Sequence, residues 1–283
     1  MAIKKVGIVG CGVMGSGIAL VCAQAGLQVI ARDINDDLVK KGIGSINSYL
    51  IKSIEKGKLT PPEKDATMGR IRGTTNIQDL SDCDFIIEAV SEKLELKKTI
   101  FAELDKVSAR HAVLATNTSV LSIIDIAMST ARPERVVGTH FFNPPVLMKL
   151  IEIVRTIVTS DETVKICQEF GGLIGKETVL ARDAPGFIVN RLGTPFMLDA
   201  IRMLENGVAT AQDIDNAVML GLNHPIGPLK LLDLIGIEVV YAAASDIYQE
   251  TKDPKYAPPV LMRKMVAAGW LGRKTNKGFY DYK

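Results

Sequence analysis

The sequence predicts an α/β protein: a doubly wound, mostly parallel sheet with a helical-hairpin insertion, followed by a smaller all-α C-terminal domain. Three observations carry this. Short β-rich runs alternate with helical patterns through roughly the first 180 residues, a glycine-rich turn joins the first run to the first helix, and the texture becomes wholly helical after Asp183-Ala184-Pro185-Gly186. A length of 283 residues, at roughly 150 per domain, suits two domains.

The first run, Lys5 to Val9, is apolar and β-branched and ends at glycine. The second, Gln28 to Ala31, stops just before Asp33. A long excursion then reaches Arg72, with one helix-patterned stretch from Asp36 to Glu55 and another after Pro61-Pro62, read as paired helices protruding from the sheet. Further β-rich runs follow at Phe85 to Ala89, Ala112 to Ala115, Val136 to Thr139, Ile151 to Val154 and Thr178 to Leu180, the spacing of βαβ units in a parallel sheet. Beyond the Pro-Gly pair, Phe187 to Leu204, Ile214 to Met219, Ile237 to Tyr248 and Val260 to Ala268 read as amphipathic helices. The expected domains are therefore 1–184 and 185–283.

Composition excludes several classes. With 47% hydrophobic and 23% charged residues the chain can build a core, which rules out disorder as its main state. Lys plus Arg total 34 against 32 acidic residues, and a net charge of +2 offers no global field for nucleic acid. The four cysteines, at 11, 22, 83 and 167, form no C-x-x-C pair and no metal-like spacing with the three histidines, so a reducing, cytoplasmic compartment without bound metal is expected. Lys4 and Lys5 before an apolar stretch ending Ala23-Gln24-Ala25 imitate a secretory signal, but glycines at 7, 10, 12, 15, 17 and 26 fit a nucleotide-binding strand, turn and helix instead. No membrane span is expected, because no segment reaches about 18 uninterrupted apolar residues.

Gly10-Cys11-Gly12-Val13-Met14-Gly15 follows a strand and opens a helix, the fingerprint of a Rossmann-type dinucleotide site. Its glycines allow the backbone to approach a pyrophosphate, and the helix N-terminus supplies N–H groups and partial positive charge. Asp33 closes the second strand, where a carboxylate accepts from ribose hydroxyls and repels a 2′-phosphate, favouring NAD over NADP. Arg32 beside it leaves NADP possible, as either a cofactor-phosphate contact or an exposed strand-end charge.

A group that moves a proton while nicotinamide carries hydride must titrate near working pH, which points to histidine. His111 and His224 stand in surface or turn contexts. His140 ends a strand and leads into Phe141-Phe142-Asn143-Pro144-Pro145, at the sheet edge where doubly wound folds bind ligands, and taken alone is either a catalytic group or a packing residue. Glu152 lies in Leu150-Ile151-Glu152-Ile153-Val154, where a carboxylate among aliphatics is costly unless paired. It is either the partner of His140 or an edge glutamate facing water.

Together the Gly10–Gly15 turn, Asn117-Thr118-Ser119, His140-Phe141-Phe142-Asn143-Pro144-Pro145, Glu152, Pro185-Gly186-Phe187-Ile188-Val189-Asn190-Arg191 and the ending Gly278-Phe279-Tyr280 resemble the L-3-hydroxyacyl-CoA dehydrogenase family along essentially the whole chain. The single-module length is most similar to its bacterial 3-hydroxybutyryl-CoA dehydrogenase members. The resemblance implies an NAD-dependent oxidoreductase interconverting (S)-3-hydroxyacyl-CoA and 3-ketoacyl-CoA, with short chains such as 3-hydroxybutyryl-CoA and acetoacetyl-CoA as the expected substrates, in fatty acid and butanoate metabolism. By it His140 is the general acid/base, Glu152 its partner, and Ser119 and Asn190 the hydrogen-bonding groups around the reacting oxygen. Ser119 could instead cap the next helix, and Asn190 could be a helix-surface residue.

The resemblance also places Glu92, Lys97, Asn117 and Asn143 at the nicotinamide half of the cofactor, with a solvated helix charge as the alternative for Lys97. Lys52 and Lys56, with Lys58 a weaker candidate, are either a cationic face for coenzyme A phosphates or a solvated helix end, and the helical domain resembles the part through which relatives form dimers, its apolar helices fitting either a dimer face or a monomer core. Asn276 departs from the family ending, where a glycine often stands, without touching the chemistry. Two rivals remain. A β-hydroxyacid dehydrogenase of free acids needs a G-x-x-x-K-x-x-N helix, which Gly172 and Lys176 approach but Val179 breaks; a non-catalytic dinucleotide-binding protein would keep the fold alone.

Overall fold

The computed structural model describes residues 3–282. Contacts divide the chain into two compact units, Met1–Ala184 and Pro185–Lys283.

The first unit alternates strands and helices: β1 (Lys5–Val9), α1 (Val13–Gln24), β2 (Gln28–Arg32), α2 (Asp36–Glu55), α3 (Pro61–Met68), β3 (Ile71–Thr74), β4 (Phe85–Glu88), α4 (Leu94–Val107), β5 (Val113–Thr116), α5 (Ile123–Ala127), β6 (Val136–Phe141), β7 (Leu150–Arg155), α6 (Asp161–Leu173) and β8 (Glu177–Arg182). The eight strands form one sheet in the order β3-β2-β1-β4-β5-β6-β7-β8. The winding reverses between β1 and β4, which opens the crevice where such folds hold ligands. Central strands are buried on both faces, so Phe85, Ile86 and Ile87 read as a continuous apolar run rather than an alternating one.

The structure adds β3, which starts at the end of the stretch read as excursion and runs two residues past it. Its four residues, Ile-Arg-Gly-Thr, carry too little apolar pattern to stand out, and pairing with β2 holds them. It also shows where the sheet is not parallel: β6 and β7 run antiparallel, because an eight-residue connection can make a hairpin but not a crossover. The helical pair α2 and α3 is built as local chemistry dictates. Asn35 caps α2 by accepting from the Leu38 N–H, Val39, Gly42, Ile46 and Leu50 form its buried stripe, and Glu63 reaches back to the Thr60 N–H at 2.8 Å to start α3.

The second unit holds α7 (Val189–Glu205), α8 (Ala211–Gly221), α9 (Pro228–Ile235), α10 (Ile237–Thr251) and α11 (Val260–Ala267). They close around Leu198, Ile201, Leu229, Leu232, Val240, Ala244 and Met262. The C-terminal segment folds back onto this bundle: Asp233 accepts from the Phe279 and Tyr280 N–H groups, and Tyr280 donates its hydroxyl to Asp215 at 2.7 Å. Among the described residues no helix is long and apolar enough to cross a membrane.

Candidate active site

The turn between β1 and α1 meets the demands of a dinucleotide loop. Gly10 adopts φ +101°, open to glycine but strained for other residues. A β-carbon at Gly15 would stand 1.8 Å from the Gly10 carbonyl oxygen, so only glycine lets helix and turn approach so closely. Gly12 begins α1 with no side chain capping it, leaving the helix N-terminus to serve phosphates. Asp33 closes the loop from the β2 side, its carboxylate accepting from the Cys11 N–H and the Ile34 N–H at 2.7 Å each. A cavity of about 310 Å³ adjoins it, lined by Gly10, Gly12, Arg32, Asp33, Ile34 and Leu38, among others, which suits the adenosine half of a dinucleotide. Val13, three-quarters exposed, and half-buried Met14 occupy the first turn of α1. The Arg32 Nε is buried without a hydrogen-bond partner. The Cys11 thiol is pushed up to about 12 by burial, with the Asp33 charge adding to the effect, and so is no nucleophile at neutral pH.

Across the switch point, β6 carries His140 and β7 carries Glu152 in directly opposed register. The antiparallel turn makes this pairing possible: facing residues in such a ladder point their side chains to the same side of the sheet. Nδ1 of His140 lies 2.6 Å from Glu152 Oε2, the imidazole 4% exposed and the carboxylate fully buried. Phe142 packs on the imidazole with ring centroids 4.5 Å apart. Asn117, at the end of β5, accepts from the Phe141 N–H at 2.9 Å and so ties the β5 end to the histidine strand. The other two histidines are exposed, His111 standing 3.5 Å from Asp84 and His224 beside Phe196.

Ser119 sits half-buried in the bend after β5, its N–H donating to Glu92 Oε1 at 2.8 Å. The capping role it could have held belongs to Ser122, the N-cap of α5. Glu92 also accepts from the Thr118 hydroxyl and pairs with Lys97 at 3.2 Å. Lys97 is not a solvated helix charge. It is fully buried and bonds to Glu88 at 2.7 Å. Glu88 is not among the site residues expected from the sequence, although in Phe85-Ile86-Ile87-Glu88 it is, like Glu152, a carboxylate inside an aliphatic strand and costly unless paired.

Asn143 is exposed in the β6–β7 connection. That connection is fastened by Lys176, whose ammonium donates to the carbonyls of Pro145 and Met148 at 2.6 and 2.7 Å; burial pulls its pKa below the usual lysine range. The lysine that a free-acid dehydrogenase would need is thus committed to a loop. Lys52 and Lys56, with Lys58, are exposed at the end of α2. Asn190 lies in the first turn of α7, half-buried, in the second unit.

Comparison with known proteins gives one answer along the whole chain. Residues 5–184 match the 3-hydroxyacyl-CoA dehydrogenase NAD binding domain and residues 186–282 the C-terminal domain of the same family. A 3-hydroxybutyryl-CoA dehydrogenase of Mycobacterium tuberculosis is 45% identical over 283 residues, covering 99% of each chain. Among solved structures, FadB2 of M. tuberculosis superposes with a TM-score of 0.97 at 45% identity, and (S)-3-hydroxybutyryl-CoA dehydrogenase PaaH1 of Ralstonia eutropha with 0.94 at 43%, each covering 100% of both chains.

Proposed function

The chain belongs to the 3-hydroxyacyl-CoA dehydrogenase family, and from that premise we propose that it interconverts (S)-3-hydroxybutyryl-CoA and acetoacetyl-CoA with NAD, using His140 to carry the proton. The observation that carries the reading is the 2.6 Å bond between His140 Nδ1 and Glu152, both buried, with His140 on the strand next to the one whose end carries the Ser119 bend.

The glycine turn, the α1 N-terminus and Asp33 hold the cofactor, and Glu92, Asn117 and Asn143 serve its nicotinamide half, where buried Lys97 acts by holding Glu92 rather than by reaching the cofactor. When bound, NAD supplies the hydride acceptor. With Nδ1 committed to Glu152, proton exchange with the 3-hydroxyl runs through Nε2, and the carboxylate balances the positive charge that arises on the ring. The Ser119 hydroxyl donates to the 3-oxygen, which gathers negative charge as the proton leaves. Lys52 and Lys56, exposed cations at the end of α2, meet the coenzyme A phosphates. Asp33 favours NAD by repelling a 2′-phosphate, and Arg32 sets how strictly; parallel rates with NADH and NADPH measure this. The protein acts as a cytoplasmic homodimer. The exposed Leu192, Leu220 and Leu222 of the helical unit support a second copy as its partner.

His140→Ala tests the reading. It should lower kcat for acetoacetyl-CoA reduction by about 10² to 10⁴ while NADH still binds, and near-normal turnover would remove His140 from the mechanism. Lys52→Ala with Lys56→Ala should raise KM for the acyl-CoA roughly threefold to tenfold with little change in kcat. An unchanged KM relocates the coenzyme site.

A further inference from the structure

Glu88 closes β4 with no exposed surface, a placement unfavourable for a carboxylate without partners. It has three. Oε1 accepts from the Val90 N–H and from Lys97 Nζ, each at 2.7 Å, and Oε2 from the Thr116 hydroxyl at 2.8 Å. Lys97 reaches on to Glu92 at 3.2 Å, and Glu92 in turn holds the Ser119 N–H and the Thr118 hydroxyl. An unbroken line of charge-assisted bonds therefore runs from the middle of the sheet to the bend after β5.

We propose that Glu88 is the positioning residue of the Ser119 bend, acting through Lys97 and Glu92 without touching cofactor or substrate. The order of burial supports the direction of control. Glu92 is 35% exposed on its side chain and free by itself to turn toward water, whereas Lys97 and Glu88 have no such escape. Lys97 has a long stem with several rotamers, and the rigid element in the line is Glu88, set in register against Val9 on one side and Thr116 on the other. Without the Glu88 charge the ammonium loses its shorter contact, and the grip on Glu92 loosens with it. The proposal rests on Ser119 being the group that meets the 3-oxygen.

The test is a double-mutant cycle joined to amide hydrogen exchange. Glu88→Gln should speed exchange across residues 117–121 by about tenfold or more while exchange in β6 and α1 is unchanged. With NADH saturating, so that cofactor affinity does not enter, it should also lower kcat/KM for acetoacetyl-CoA at least about tenfold in the native background, but less than about twofold further in Ser119→Ala. Equal losses in both backgrounds, or unchanged exchange in the bend, would overturn the proposal. Full turnover by Ser119→Ala alone would sink the reading of Ser119, and the exchange result would still decide for or against Glu88. Should Glu88→Gln fail to fold, the pair Glu88→Gln with Lys97→Met leaves no fully buried charge without a partner, Glu92 being 35% exposed on its side chain. The same acceleration of exchange is expected from it, and protection as in the native protein counts against the proposal.

Discussion

Among the described residues each unit buries two carboxylates at 1% exposure or less, Glu88 and Glu152 in the sheet unit, Asp215 and Asp233 in the helical unit. Their partners differ in kind. Glu152 meets an imidazole and Glu88 an ammonium. Asp215 meets the Leu229 and Lys230 N–H groups at the start of α9 and the Tyr280 hydroxyl, and Asp233 meets the N–H groups of Phe279 and Tyr280 and the Tyr282 hydroxyl. The same desolvation cost is offset in one unit by groups that carry charge or protons and in the other by neutral donors. On the proposed function the first kind arranges chemistry, whereas the second fastens the start of α9 and the C-terminal segment within the bundle.

The largest effect that could break this division is at Glu152. Glu152→Gln keeps the shape and a hydrogen bond but removes the charge opposite the ring, and should lower kcat by about 10² or more with the NADH dissociation constant nearly unchanged. A loss smaller than about threefold, measured at saturating substrate, would place Glu152 with the fastening carboxylates.

Asp215→Ala should show the reverse pattern. Three donors lose their acceptor, so urea denaturation should report a stability loss of about 2–4 kcal/mol, while kcat of the folded enzyme stays within about twofold. A fall in kcat as deep as that of Glu152→Gln would erase the contrast.

The smallest effect concerns pH. Burial raises the Asp233 carboxyl above its usual range, against the pull of the Phe279, Tyr280 and Tyr282 bonds. The native state then holds the proton at a pH where the unfolded chain has lost it, so this group's contribution to stability falls as pH rises through the raised value. Asp233→Asn does not titrate. Its stability relative to the native protein should therefore improve as pH is raised from about 4 to about 7, and a flat or falling difference in thermal midpoints would show that the bonds outweigh burial.

Much of this could be read along the chain because it is local. Glycines that permit the tight turn after β1, an acidic residue after the next strand, the helical pattern of α2 and the Pro-Gly break before the helical stretch each leave a mark within a few residues. β3 left none, being four residues with little apolar content, and neither did the reversal at β7. His140 and Glu152 could be nominated singly, from titration range and from the cost of a carboxylate among aliphatics. That the two face each other depends on a hairpin register, which no periodicity encodes. Lys97 illustrates the limit most sharply. By spacing it is one more lysine near the start of a polar helix, and only the packing of α4 beside β4 decides that its ammonium lies between two carboxylates with no water to reach. Sequence by itself determined the fold class and the kinds of chemistry available, because backbone preference and hydrophobic pattern act over short stretches. Tertiary structure decided which charges meet, because burial and strand register are set by residues far apart along the chain.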